Sequence, residues 1–181
     1  APLPPDFVGL IDALRRDALV ISRLPPVQGI PRALRNRGRD AKEGVPVGLW
    51  ITRLQELFSA FAEANPDYAQ IRYIGVADNG RELVRVDAAE GRAVVTPAEK
   101  LQSKGDRDYF QATLKLKAGE VYLSRIDLNR EWGRIQTPHV RTLRAATPVF
   151  TPDGVLYCMV VINLHIGPAI DAATTNLPPG I

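Results

Sequence analysis

Apolar positions recur at helical spacing in two blocks near the N-terminus and at strand spacing through most of the rest of the chain. From Asp6 to Arg23 they fall at Phe7, Leu10, Ile11, Leu14, Ala18, Leu19 and Ile21, with Arg15, Arg16 and Asp17 to one side, which predicts a helix. Asp6 is a candidate N-cap. Pro25-Pro26 stops the helix, since neither residue donates a backbone hydrogen bond. Ile30–Asn36 reads as a short helical turn opening at Pro31, and Asn36–Gly44 as a charged loop. A second helix is predicted over Val47–Ala64. Its stripe is Leu49, Trp50, Leu54, Leu57, Phe58 and Phe61, and Asn65-Pro66 ends it.

The period then changes. Tyr68–Ala77 and Glu82–Asp87 read as strands joined through Asp78-Asn79-Gly80, a turn that tolerates positive φ. Gly91–Val95 adds a third short strand. Thr96–Arg107 is polar and irregular. Asp106–Lys117 has helical spacing at Tyr109, Phe110, Thr113, Leu114 and Leu116. Glu120–Ile126 reads as a strand and Asp127–Val140 as a long polar excursion. Leu143–Phe150 and Val155–Leu164 pair across Pro152-Asp153-Gly154. Both faces of Val155–Leu164 are mostly apolar, so this strand is expected at the centre of a sheet covered on both sides. Ile166–Ala173 is an exit helix, and Asn176-Leu177-Pro178-Pro179-Gly180 has linker composition. The pattern alone supports an α+β domain.

Composition narrows the class. The chain has 181 residues, 45% hydrophobic and 24% charged, which suits a folded domain with a sizeable core. No run reaches the roughly eighteen apolar residues of a membrane span, and no positively charged stretch leads into an apolar segment of signal-peptide type at the first residues given. Ala1-Pro2-Leu3-Pro4-Pro5 reads as an arbitrary start and the whole as an excised fragment. The net charge is +3. The basic cluster Arg32, Arg35, Arg37, Arg39 and Lys42 has no nucleic-acid motif around it and reads as a solvated helix end and loop, so no nucleic-acid partner is expected. The lone Cys158 lies in an apolar strand and reads as core. His139 and His165 have no metal-ligand spacing, Ser124 has no nucleophile signature and there is no glycine-rich phosphate loop. No cofactor, metal or catalytic residue is expected.

The segments Leu101-Gln102-Ser103-Lys104, Arg107-Asp108-Tyr109-Phe110, Gly119-Glu120-Val121-Tyr122-Leu123-Ser124, Leu128-Asn129-Arg130-Glu131 with Gly133, and Arg144-Ala145-Ala146-Thr147-Pro148-Val149-Phe150 occur in that order. As a set they resemble the Cache (PDC-type, PAS-like) extracytoplasmic sensor domains of bacterial histidine kinases and diguanylate cyclases. The resemblance covers roughly Asn65 to Ile166. It implies a five-stranded antiparallel sheet in the order 2-1-5-4-3, with long N-terminal helices behind it and a helix-and-loop cover over a ligand face. The expected division is a helical arm over 1–64, a sensor domain over 65–173 and a linker over 174–181. The resemblance also implies a periplasmic module of an inner-membrane receptor, with its membrane spans outside this sequence, acting as a homodimer. Phe7, Leu10, Leu14 and Ile21 of the first helix are the expected dimer surface.

A pocket for a small organic anion needs a fixed cation, aromatic walls and hydroxyls that orient the ligand. Arg107, Tyr109 and Phe110 supply the first two. Tyr122 and Ser124 share one strand face, Arg144 shares another with Ala146 and Pro148, and Asn163 ends the last strand. These seven are the candidate ligand-binding residues. An alternative stands beside them: Tyr109 and Phe110 cap the core, Arg107 pairs with Asp106 or Glu131, and the domain serves protein interaction or dimerisation without a small ligand. The Tyr/Arg/Trp/Tyr pattern ending in Asp of amino-acid-binding Cache domains cannot be laid onto this chain, so amino acids are not the favoured ligand.

Overall fold

A computed structural model describes residues 5–175 of the chain. Three helices come first: α1 (Pro5–Ser22), α2 (Pro25–Arg35) and α3 (Val47–Ala64). Asp6 lies in the first turn of α1 rather than at its cap, where its charge still favours the helix dipole. Pro25-Pro26 ends α1 and also opens α2, because proline fits the first helical positions, whose N–H groups have no intrahelical partner. The helical turn predicted at Ile30–Asn36 is therefore the second half of a longer helix. On α3, Trp50, Leu54, Phe58 and Ala62 recur every four residues and are all buried. The loop between α2 and α3 is held by Asp40. Its carboxylate accepts from Arg32 at 2.8 and 2.7 Å and from the Trp50 indole at 3.0 Å. That pairing leaves one member of the basic cluster, Arg32, ion-paired and half-buried.

The strands are β1 (Tyr68–Gly75), β2 (Glu82–Ala89), β3 (Arg92–Val95), β4 (Tyr122–Leu123), β5 (Asp127–Leu128), β6 (Arg130–Glu131), β7 (Arg134–Ile135), β8 (Arg141–Phe150) and β9 (Leu156–His165). Seven of them form one antiparallel sheet in the order β3-β2-β1-β9-β8-β4, with β5 also paired to β8; β6 and β7 form a separate hairpin. The sheet is thus larger than the five strands expected. β3 extends the edge beyond β2, and β5 is a piece of the polar excursion that finds spare hydrogen-bonding groups on the longer β8. The strand expected over Glu120–Ile126 pairs as β4 only at Tyr122 and Leu123. The turn between β1 and β2 places Asp78, Asn79 and Gly80 at φ of 53, 56 and 70°, the left-handed conformation its composition favours. β9 lies between β1 and β8, and Cys158 through Leu164 are all buried.

The sheet faces are chemically unlike. Ile71, Tyr73, Val84, Val86, Val160, Ile162 and Leu164 face a core shared with Leu14, Ala18 and Ile21 of α1 and the buried stripe of α3. Leu14 and Ile21, expected at a dimer surface, are fully buried in their own protomer. On the other face Ile74, Ala146, Met159 and Val161 pack under Tyr109 and Phe110 of α4 (Asp108–Thr113). Burying such a side chain is worth about 1.5–3 kcal/mol, which is how so short a helix is held. The helix predicted over Asp106–Lys117 contracts to these six residues. Thr113 is its last buried position, and the chain leaves through 3-10-like bonds from Lys115 to Ala112 and from Leu116 to Thr113. α5 (Gly167–Thr175) follows β9, and the linker-like Asn176–Gly180 lies outside the described residues.

Candidate functional site

A cleft of about 840 Å³ opens between α4 and the segment that follows β4. Register explains the sheet face beneath it. Residues of one parity on β8, β9 and β1 point towards it, and cross-strand pairing aligns Arg144 with Asn163 and Asn163 with Gln70. The next row aligns Tyr122, Ala146, Val161, Arg72 and Arg85. The following row, with Pro148, Met159 and Ile74, is largely apolar and carries Phe110. This face of the sheet therefore grades from a polar end to an apolar end.

The polar end is a buried network. Arg72, 2% exposed, donates to the Tyr109 hydroxyl and to Asn163 Oδ1, each at 2.7 Å. Asn163 donates to Gln70 Oε1 at 3.0 Å, and Gln70 to Glu131 at 2.7 Å. Glu131 also accepts from Arg85 and Asn129, both at 2.9 Å, and from Gln102 at 3.0 Å. Burial alone would raise the Glu131 carboxyl, but Arg85 and Gln70 hold it down at about 2. Lys104, bonded to Gln102, is lowered to about 8 by burial first and by Arg72 next. The Tyr109 ring lies 5.2, 5.9 and 5.4 Å from the guanidinium carbons of Arg72, Arg107 and Arg144.

Arg144 and Arg107 bring positive charge to the cleft itself. Arg144 is 2% exposed, and burial pulls its pKa down; the opposing influence is Asp127, whose carboxylate accepts from Nη1 at 2.6 Å. Arg107 makes no side-chain hydrogen bond among the described residues, and Asp127 Oδ2 is 4.0 Å from its Nη2. It pairs with neither Asp106 nor Glu131. Around the cleft five cationic side chains stand against three carboxylates, an excess that suits an anion.

Five of the seven sequence-predicted residues line this cleft: Arg107, Tyr109, Tyr122, Ser124 and Arg144. Phe110 lies beneath it against Ile74 and Met159. Asn163 does not line the cleft; it is buried beneath it, committed to Arg72 and Gln70. The Ser124 hydroxyl donates to Arg125 O at 2.7 Å and accepts from the Arg144 amide at 2.9 Å, so it braces the strand edge. Sequence reasoning missed Arg72, Gln70, Arg85, Asp127, Asn129 and Glu131. The signal for the first three was the alternation of β1 and β2, where polar residues face away from the helix-side core. An alternating strand usually gives its polar face to water, and here that face is covered.

The sequence model for the sensor domain of bacterial histidine kinases matches residues 51–172. The chain belongs to this family. Bacterial histidine kinase sensor domains are signal-transduction modules, which agrees with the resemblance read from the residues. No curated protein matches the sequence. Among solved structures, a domain from a Vibrio parahaemolyticus protein described as of the sensory box/GGDEF family superposes with a TM-score of 0.76 at 20% identity, covering 96% of this chain and 59% of that one. The extracellular domain of vpHK1S-Z8, described as a histidine kinase, gives 0.75 at 21% identity, covering 96% and 56%. The ligand-binding domain of the Campylobacter jejuni chemoreceptor Tlp3, in complex with L-norvaline, gives 0.53 at 10%, covering 98% and 68%. At these identities the likeness is one of fold, and this chain spans less than three fifths of the first two domains. No helix among the described residues is long and apolar enough to cross a membrane.

Proposed function

We propose that this sensor domain is the extracytoplasmic ligand-sensing module of a transmembrane receptor histidine kinase, and that it binds a small organic anion in the cleft beside α4. The observation that carries this reading is the pairing of a buried Arg144 with a half-buried Arg107 over one carboxylate, in an open cleft with Tyr109 and Tyr122 as aromatic walls. A guanidinium removed from water needs a negative partner, and its planar fork grips a carboxylate at two points. Ligand binding changes the receptor's output only through unequal affinity for two arrangements of the domain. A homodimer would use the first turns of α1, where Phe7, Leu10 and Ile11 stay half-buried and Val8 is 44% exposed.

A thermal-shift screen of small carboxylates on the wild-type domain tests the reading. Arg107→Ala, still folded, is expected to bind a hit about ten- to a hundredfold more weakly, as suits loss of a charge-assisted hydrogen bond. Tyr122→Phe, which loses a hydroxyl only, is expected to lose less. Equal binding by wild type and Arg107→Ala removes Arg107 from the site.

A further inference from the structure

The two arginines that flank Asp127 rise from well-anchored elements, and Asp127 itself comes from a short, exposed one. Arg144 sits in the middle of the ten-residue strand β8, and Arg107 caps α4, which is anchored by the buried Tyr109 and Phe110. Asp127 belongs to β5, a two-residue strand whose register consists of Asp127 with Thr142 and Leu128 with Arg141. The Asp127 side chain is 49% exposed, and Arg125 and Ile126 just before it are exposed too. One of its carboxylate oxygens contacts Arg144 and the other faces Arg107. We infer that Asp127 is a displaceable internal counter-ion: it holds the place that a ligand's carboxylate would take, and an incoming anion takes Arg144 and Arg107 from it. This inference rests on the anion-binding reading of the same cleft.

The exchange has structural reach. Asn129, two residues beyond Asp127, accepts from Arg144 Nη2 at 3.3 Å and donates to Glu131 at 2.9 Å, and its amide donates to Val140 O at 2.9 Å. Releasing Asp127 loosens the pairing of β5 with β8 and alters the constraint on Asn129, which joins the cleft to the buried network. The exchange also sets the sensing threshold. The apparent dissociation constant is the intrinsic one divided by the fraction of molecules whose cleft is open. An anion that cannot engage both arginines gains little over the carboxylate already there.

Acetate is the chemical equivalent of the aspartate side chain and serves as the probe. Sodium acetate is titrated at constant ionic strength into wild type, Asp127→Asn and Arg144→Ala, following backbone amide resonances. The inference expects Asp127→Asn to bind acetate about three- to tenfold more tightly than wild type, with Arg144→Ala losing the response. If wild type binds and Asp127→Asn binds equally or more weakly, Asp127 is a ligand contact or a bystander, and the inference is overturned while the anion cleft stands. If neither shows saturable shifts around the cleft, the anion-binding reading falls and takes the inference with it. Should Asp127→Asn fail to fold, wild type alone decides: saturating acetate must accelerate hydrogen exchange of the Asn129 amide, and unchanged or slower exchange overturns the inference.

Discussion

At the residue scale, the buried network makes demands that single substitutions can measure. The Tyr109 hydroxyl accepts from Arg72 at 2.7 Å in a buried setting. Tyr109→Phe keeps the ring beside three guanidinium groups but leaves an arginine N–H without its acceptor. A loss of about 1–3 kcal/mol in urea denaturation is expected. Glu131 supplies the acid response. Its carboxyl is lowered from 4.5 to about 2 in the folded protein, so between those values the unfolded chain binds the extra proton. Stability is therefore fully present above about pH 4.5 and is lost as pH falls towards 2. Urea midpoints at pH 6 and pH 3 are expected to differ less in Glu131→Gln than in wild type.

At the element scale, two close fits decide local stability. α2 crosses α3 at Gly29, where an added Cβ would overlap the Trp50 indole. That indole is itself tied to Asp40, so it cannot move freely. Gly29→Ala is expected to cost about 1–3 kcal/mol by overpacking, read from the thermal or urea midpoint. The β6–β7 hairpin turns through Trp132 and Gly133, at φ of 50 and 75°. Positive φ suits asparagine far better than tryptophan, and Trp132 is 66% exposed, so its side chain buries little. Trp132→Asn is expected to stabilise the domain by about 0.5–1 kcal/mol. No gain in the urea midpoint would mean that Trp132 contributes contacts offsetting its strain.

At the scale of the whole molecule, one sheet carries two differently built faces. The helix side is a continuous apolar core that holds the fold, and the other side combines a small apolar patch with the charged network under the cleft. If the first turns of α1 form a homodimer contact, wild-type protein at high concentration sediments as a dimer, and Leu10→Asp returns it to monomer. Wild type that stays monomeric throughout counts against that surface. Leu14 and Ile21 are unavailable to it because they complete the core of their own protomer.

By itself the sequence determined what depends on near neighbours along the chain. The helical stripe of Val47–Ala64, the left-handed turn at Asp78-Asn79-Gly80 and the doubly apolar strand through Val161 follow from local period and backbone preference. The ordered motifs sufficed for the family, and Arg107, Tyr109, Tyr122 and Arg144 reached the cleft because each lies within or next to one of them. Tertiary structure alone decided the partners. Arg72 reads as the polar side of an alternating strand until α4 covers it, and Glu131 reads as loop until Arg85, Gln70 and Asn129 converge on it. The contraction of α4 and the addition of β5 to β8 were decided in the same way, by which positions found something to bury against and which backbone groups found a free edge. Polar contacts across 17 to 91 residues of sequence carry no local period, so only the folded chain shows that Asp127 meets Arg144 and that Arg72 meets Asn163.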